Sequence, residues 1–222
     1  MNSDGRGGKD GGFHAVRDGV RRTRWPTRTR IERTFGALRE RGITPIFVPD
    51  RRAALEELLK LIPKGATVAH GSSTTLQEIG FIDHLKDVGS GYRYLNPEWH
   101  AEDDPTRRGR IRAKLSVEAD YFLGSVEAIS ETGEVVGADA SGSRQAFYVY
   151  GPSHVIWVAG INKLVPTVEA GILRVREIGL PLESERVRRG GGTGSSIGKL
   201  VVYERERPGR TTLILVGENL GF

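Results

Sequence analysis

The chain has 222 residues, 37% of them apolar and 27% charged, a balance that suits a globular domain with a sizeable core and excludes a wholly disordered chain. Cysteine is absent, which excludes disulfides, thiolate-bound zinc, cysteine-ligated iron–sulfur clusters and a cysteine nucleophile. Lys and Arg number 33 against 28 Asp and Glu, and no stretch approaches the ~20 apolar residues of a membrane-spanning helix.

Residues 1–12 are glycine-rich and polar, so they are expected to form a flexible tail ahead of a single α/β domain over 13–222. The opening has no apolar segment and does not read as a secretory signal, so the expected location is the cytoplasm. Much of the positive charge lies early, at Arg17, Arg21, Arg22, Arg24, Arg28, Arg30 and Arg33. Clustered cations suit nucleic acid. No aromatic interleaving or helix-turn-helix pattern accompanies this run, so a solvated helix face is expected instead.

From Thr27 the spacing of Ile31, Phe35 and Leu38 predicts a helix, stopped at Gly42. Ile43–Val48 predicts a strand, and Asp50 caps a second helix whose Leu55, Leu58, Leu59 and Ile62 share a face. Ala66–His70 predicts a strand, Gly71–Thr75 a small-residue loop, and Leu76 opens a helix. Tyr92–Leu95 reads as a strand before a polar link, 104–118 as a basic helix, and Tyr121–Val126 as a buried strand. Ser130–Gly133 reads as a turn, and Ala146–Val149 and Val155–Ala159 as β-prone runs split by Gly151-Pro152. Thr167–Ile178 is amphipathic, 190–198 is a glycine-rich linker or lid, and Leu200–Tyr203 and Thr211–Val216 predict two closing strands.

Strands alternating with helices imply an α/β fold with a mostly parallel sheet flanked by helices. The hairpin-like region 129–149 and the closing strand pair imply a small mixed or antiparallel portion.

Three places could carry chemistry. The segment His70, Gly71, Ser72, Ser73, Thr74 and Thr75 runs from a strand into a helix start, where backbone N–H groups and hydroxyls can cradle an anion. Capping alone would need one such residue. The segment lacks the GK[ST] ending of a phosphate-binding P-loop, so ATP hydrolysis is not expected. A second strand-to-helix junction ends in Asn162 and Lys163: the lysine could act as a point charge, and Asn162 could orient a ligand oxygen or brace the loop. Glu131 near Gly133, followed by Asp139 and Arg144, could hold an acid or exchange a proton, although hairpin chemistry explains these types as well. The five histidines show no close pairing, so no metal site is expected.

These strings resemble those of the LUD-domain (lactate-utilisation, formerly DUF162) family. ATVAHGSSTTLQEIG at 66–80 is similar to its small-residue "GGS-x-T-L-x-E-I-G" segment. ADYFLGSVEAISETG at 119–133 is similar to its strand and "A-x-(T/A)-E-x-G" turn. Gly142-Ser143-Arg144, the run Tyr150-Gly151-Pro152 with VIWVAGINKLV, and 170–182 continue the likeness in order over about 28–222. His70 stands where a glycine is common, and Ser143 replaces an asparagine. The cysteines of longer iron–sulfur relatives are missing, so the chain resembles the stand-alone form similar to lactate-utilisation protein C.

The resemblance implies a fold akin to sugar-phosphate isomerases and CoA transferases. It also implies an anion-gripping loop at Gly71–Thr75 and work with separate iron–sulfur partner proteins in oxidising L-lactate to pyruvate. The family pattern falls on Gly71, Ser72, Ser73, Thr74, Glu78, Glu131, Gly133, Arg144, Asn162 and Lys163.

The leading expectation is an accessory or substrate-binding subunit for lactate or a related organic acid, with no cofactor of its own. In it Gly71–Thr75 hold the anion, and Lys163 and Arg144 supply charge. The alternative is an autonomous isomerase-like or CoA/acyl-transferring enzyme on an anionic small molecule, with Glu131 as base or nucleophile and Lys163 as electrostatic stabiliser. A nucleic-acid binder is the weaker alternative.

Overall fold

The computed structural model describes residues 26–222. The expected tail, the start of the expected domain and the arginines at 17, 21, 22 and 24 lie outside them. Helix α1 (Arg28–Glu40) begins where Thr27 accepts a hydrogen bond from the Arg30 N–H, and Gly42 turns the chain at φ +81°. Strand β1 (Thr44–Val48) follows, then α2 (Arg51–Leu61), capped by the Asp50 carboxylate on the Ala53 N–H. Next come β2 (Thr67–His70), the short helices α3 (Thr74–Glu78) and α4 (Phe81–Lys86), and β3 (Arg93–Tyr94). Helices α5 (Asn96–His100) and α6 (Pro105–Glu118) lead to β4 (Tyr121–Gly124). Strands β5 (Ala128–Ser130) and β6 (Val135–Asp139), helix α7 (Gln145–Val149) and strand β7 (His154–Gly160) come next. A 3-10 turn (Ile161–Lys163), β8 (Leu164–Val165) and α8 (Val168–Arg174) precede a π-helical turn (Val175–Gly179). Helix α9 (Leu180–Arg189) and strands β9 (Lys199–Tyr203) and β10 (Thr211–Val216) complete the order.

Six strands form one sheet in the order β1-β10-β7-β4-β2-β3, every neighbour parallel. Both faces are covered, and the sequence shows why. Along β7, Val155 and Trp157 enter one core cluster while Ile156 and Val158 enter the other. Leu213 and Leu215 of β10 alternate with Ile214 and Val216 in the same way. Continuous apolar runs therefore belong to strands buried on both sides. One face packs on α2, α3 and α4 through Leu58, Leu76 and Phe81. The other packs on α1, α5, α6 and α7 through Leu38, Trp99, Leu115 and Tyr148.

The second sheet is mixed, in the order β8-β5-β6-β9, and its outer side is covered by α8 through Ala170 and Leu173. The expected α/β fold and small mixed portion are both present. Three expectations are corrected. Residues 146–149 form helix α7, because its one turn buries Phe147 and Tyr148 against the sheet. The closing strands do not pair: β9 lies antiparallel to β6, whereas β10 enters the main sheet between β1 and β7. The helix expected to end at Ile178 continues to Arg189 through the π turn, with Pro181 just inside α9.

Candidate functional site

Strands β2, β4 and β7 point their carboxyl ends the same way, and the chain segments after them converge. Ligands of open α/β sheets bind at that edge. The convergence leaves a cleft of about 450 Å³ whose lining includes His70, Ser72, Thr75, Ser125, Lys163 and the terminal Gly221 and Phe222. The lining also includes Arg112 from α6, Glu127 from the β4–β5 connection, Asp139 at the end of β6 and Arg144 just before α7.

Lys163 is only 2% exposed, carried inward by the 3-10 turn after β7. Its Nζ donates to Ser125 Oγ at 2.8 Å, and the Thr75 hydroxyl donates to the same oxygen at 3.3 Å. Burial, helped by the neighbouring charges of Arg174 and Arg144, lowers the Lys163 pKa from 10.5 to about 7, against the pull of Glu127 and Glu78. Near neutral pH this amine is therefore present in both charged and neutral forms.

The surrounding charges are held in place by backbone. Arg174 donates through Nε to the Asn162 carbonyl at 3.1 Å and through a terminal nitrogen to the Glu127 carbonyl at 2.6 Å. Burial lowers its pKa to about 10. Arg144 pairs with Glu127 at 2.7 Å and also donates to the Ala138 carbonyl at 2.6 Å. Burial opposes the Arg144 charge, but Glu127, Tyr148 and Asp139 outweigh it and raise its pKa. Arg112 donates to Ser143 Oγ at 2.9 Å and lies 5.9 Å from the ring centres of both Trp99 and Phe147. Burial lowers its pKa. The Nε atoms of Arg112 and Arg144 are buried and make no hydrogen bond among the described residues.

His70 packs against Tyr94, with ring centres 5.7 Å apart, and places Nε2 2.8 Å from the Tyr94 hydroxyl. Its Nδ1 donates to the Gly71 carbonyl at 2.8 Å, so in the neutral ring Nε2 accepts from Tyr94. Burial, then the cations His100 and Arg112, lower its pKa to about 4, against the Gly71 hydrogen bond. This histidine is a neutral wall of the cleft near pH 7.

The sequence-derived candidates divide. His70, Ser72, Ser73, Thr74, Thr75, Arg144 and Lys163 all line the cleft. Within the loop, Ser73 spends its hydroxyl capping α3 through the Leu76 N–H. Gly71 donates its N–H to the Leu123 carbonyl, and a Cβ there would stand 2.7 Å from the Arg144 side chain, so its place is structural packing beneath that arginine. Asn162 braces: its side-chain oxygen accepts from the Leu220 N–H at 3.1 Å and its amide donates to the Gly221 carbonyl at 3.4 Å.

Glu131 is not brought to the cleft. It lies past the far end of β5, four residues and roughly 13 Å of extended chain beyond Glu127. There it accepts from Arg30 at 2.5 Å and pairs with Arg33, tying the β5–β6 turn to α1. The Glu131 expected as base or nucleophile therefore does not share the cleft with Lys163. Sequence reasoning missed Ser125, Glu127, Arg112 and Arg174. The strand-end rule that selected His70 applies equally to Ser125, which directly follows β4; the other three carry no local signal. Among the described residues no cluster of three or more His, Asp or Glu fits a metal, and no helix is long and apolar enough to cross a membrane.

A comparison with curated proteins gives no match. Among solved structures, a DUF162-family protein from Deinococcus radiodurans is similar to this chain with a TM-score of 0.53, at 14% identity, over 85% of this chain and 96% of its own. At that identity the likeness speaks for the fold. The family described as "LUD domain" matches residues 31–216, a span that holds every strand of both sheets. The chain belongs to the LUD-domain family.

Proposed function

We propose that this protein binds a small organic acid of the lactate class in the cleft and serves as a substrate-binding subunit for its oxidation to pyruvate by separate iron–sulfur partner proteins. The observation that carries the reading is Lys163: a buried amine aimed at Ser125 in a cleft also lined by Arg112 and Arg144. A carboxylate entering there meets cations in a low-dielectric setting, where each charge-assisted hydrogen bond is strong. Family membership supports the choice of lactate-class acids, and the chain's lack of cysteine supports placing the redox centre on a partner. Ser72, Thr74 and Thr75 supply hydroxyls to the same cleft.

The test is isothermal titration with L-lactate, pyruvate and longer hydroxy acids, followed by Lys163→Ala. Acid binding by the intact chain, weakened at least tenfold in the variant, is the expected result. No heat with any acid, or unchanged affinity in Lys163→Ala, would remove the assignment. Co-purification with iron–sulfur proteins from the native source tests the partner half separately.

A further inference from the structure

The hydrogen bond from Lys163 to Ser125 joins two buried side chains, 2% and 5% exposed, at the floor of an open cleft. A hydroxyl within 2.8 Å of a lysine amine has the separation that an activated nucleophile and its base require. Thr75 donates to the Ser125 oxygen, which leaves that oxygen's own proton free to face the amine. The cleft volume, about 450 Å³, is also far more than a three-carbon acid needs and falls within the range of pockets for larger ligands.

We propose that Ser125 and Lys163 form a nucleophile–base pair that transfers the acyl group of an ester or thioester of a small acid. As the Ser125 oxygen bonds to the acyl carbon, its proton passes to neutral Lys163 Nζ. The bond from the acyl carbon to the alkoxide or thiolate breaks, and the leaving group takes that proton. Water then attacks the acyl-serine, giving a proton to Nζ; the bond from the acyl carbon to Ser125 Oγ breaks, Nζ returns the proton to Oγ, and the free acid leaves. Arg112 and Arg144, each lining the cleft with a buried Nε that has no hydrogen-bond partner among the described residues, suit a carboxylate or phosphate on the leaving group. The amine's depressed pKa supplies a neutral base near pH 7. The charges facing it are Arg174 at the end of α8, Glu127 before β5, Arg144 before α7 and Glu78 on α3. This goes beyond acid binding and rests on the Ser125–Lys163 geometry; the acid-binding reading enters only in the choice of acyl group.

The experiment treats the full chain with a fluorophosphonate, whose P–F bond an activated serine breaks. Intact mass follows the rate and peptide mapping gives the position. One adduct at Ser125 is expected, absent in Ser125→Ala, with a rate that rises through pH 7 and then levels. Lys163→Arg keeps a cation that cannot act as a base and should slow labelling by at least ~100-fold, the lower bound for losing a general base, with the fold checked by circular dichroism. Should that variant not fold, the pH profile of the unaltered protein decides alone. No adduct at Ser125, or a rate independent of pH between 6 and 8, would overturn the pair. Labelling without acid binding would instead sink the acid-binding reading and leave the pair standing.

Discussion

Lys163 makes opposite contributions to stability and to binding, and the two can be separated. Its folded-state pKa, about 7, lies below the ordinary 10.5. Between those pH values the unfolded chain holds a proton that the folded chain lacks, so stability rises with pH. Below pH 7 the amine is charged in both states, and its burial costs the fold on the order of a few kcal/mol. Lys163→Met should therefore raise the melting temperature most at pH 6 and progressively less from pH 7 toward 10, while abolishing acid binding. Acid binding by the unaltered chain should weaken as pH climbs through 7, because the charged amine is the form that attracts a carboxylate.

Glu127 carries the reverse expectation. It neutralises Arg144 and accepts from the Ala138 N–H at 2.9 Å, with both members of the ion pair about 85% buried. Removing one partner of a buried pair strands the other, so Glu127→Ala should cost about 3–5 kcal/mol, read from the urea denaturation midpoint.

At the scale of elements, the helical stretch from Val168 to Arg189 sets one border of the cleft. Its π turn is placed by Pro181, which cannot donate to the carbonyl of Glu177 and crowds it. The inserted residue rotates everything beyond it, and that rotation brings Leu180, Glu183 and Arg186 to the cleft. Pro181→Ala should lift the restriction, hold or raise the melting temperature, and weaken acid binding through a turned α9.

This stretch also marks where sequence reasoning stopped. A proline inside a helix reads as a boundary, and α9 is largely exposed, so it carries little apolar period. The run 146–149 misled for a different reason: four consecutive residues without a period do not distinguish a strand from a single buried helical turn. Strands β7 and β10 were legible because burial on both faces forces unbroken apolar runs. Helix α1 was legible from the spacing of Ile31, Phe35 and Leu38 and the stop at Gly42, and α2 from its cap Asp50. The site was half legible. Strand-end loops gave His70, the serine–threonine segment and Lys163, since that position follows from topology. Arg112, Glu127 and Arg174 become site residues only when distant segments meet, and Glu131 fits the motif yet anchors a turn to α1.

For the whole molecule, the C-terminal segment closes the design. After β10 it returns over the cleft, held by Asn162 and by Glu78, whose carboxylate accepts from the Gly221 N–H at 2.7 Å. Gly221 is needed there: at φ +57°, an added Cβ would lie 2.4 Å from the Thr75 hydroxyl and 3.3 Å from Lys163 Nζ. Deleting Gly221 and Phe222 should leave the melting temperature nearly unchanged, since Leu220 keeps its place in the core. Acid affinity should change severalfold by titration.

The placement of β10 has a consequence for how the protein is made. Its register runs Thr44 against Thr212 on one side and Val155 against Thr211 on the other, so β10 fills a slot between two strands that both precede it in the chain. During translation β1 leaves the ribosome with no neighbour to pair with. At about 5–20 residues per second, roughly 10–30 s pass before its partner is made. Once β7 has also emerged, the nascent chain carries two bare strand edges flanking a gap, each able to recruit another nascent chain. Soluble yield in a cell should therefore fall when translation is slowed between the codons of β7 and β10 or when chaperones are depleted.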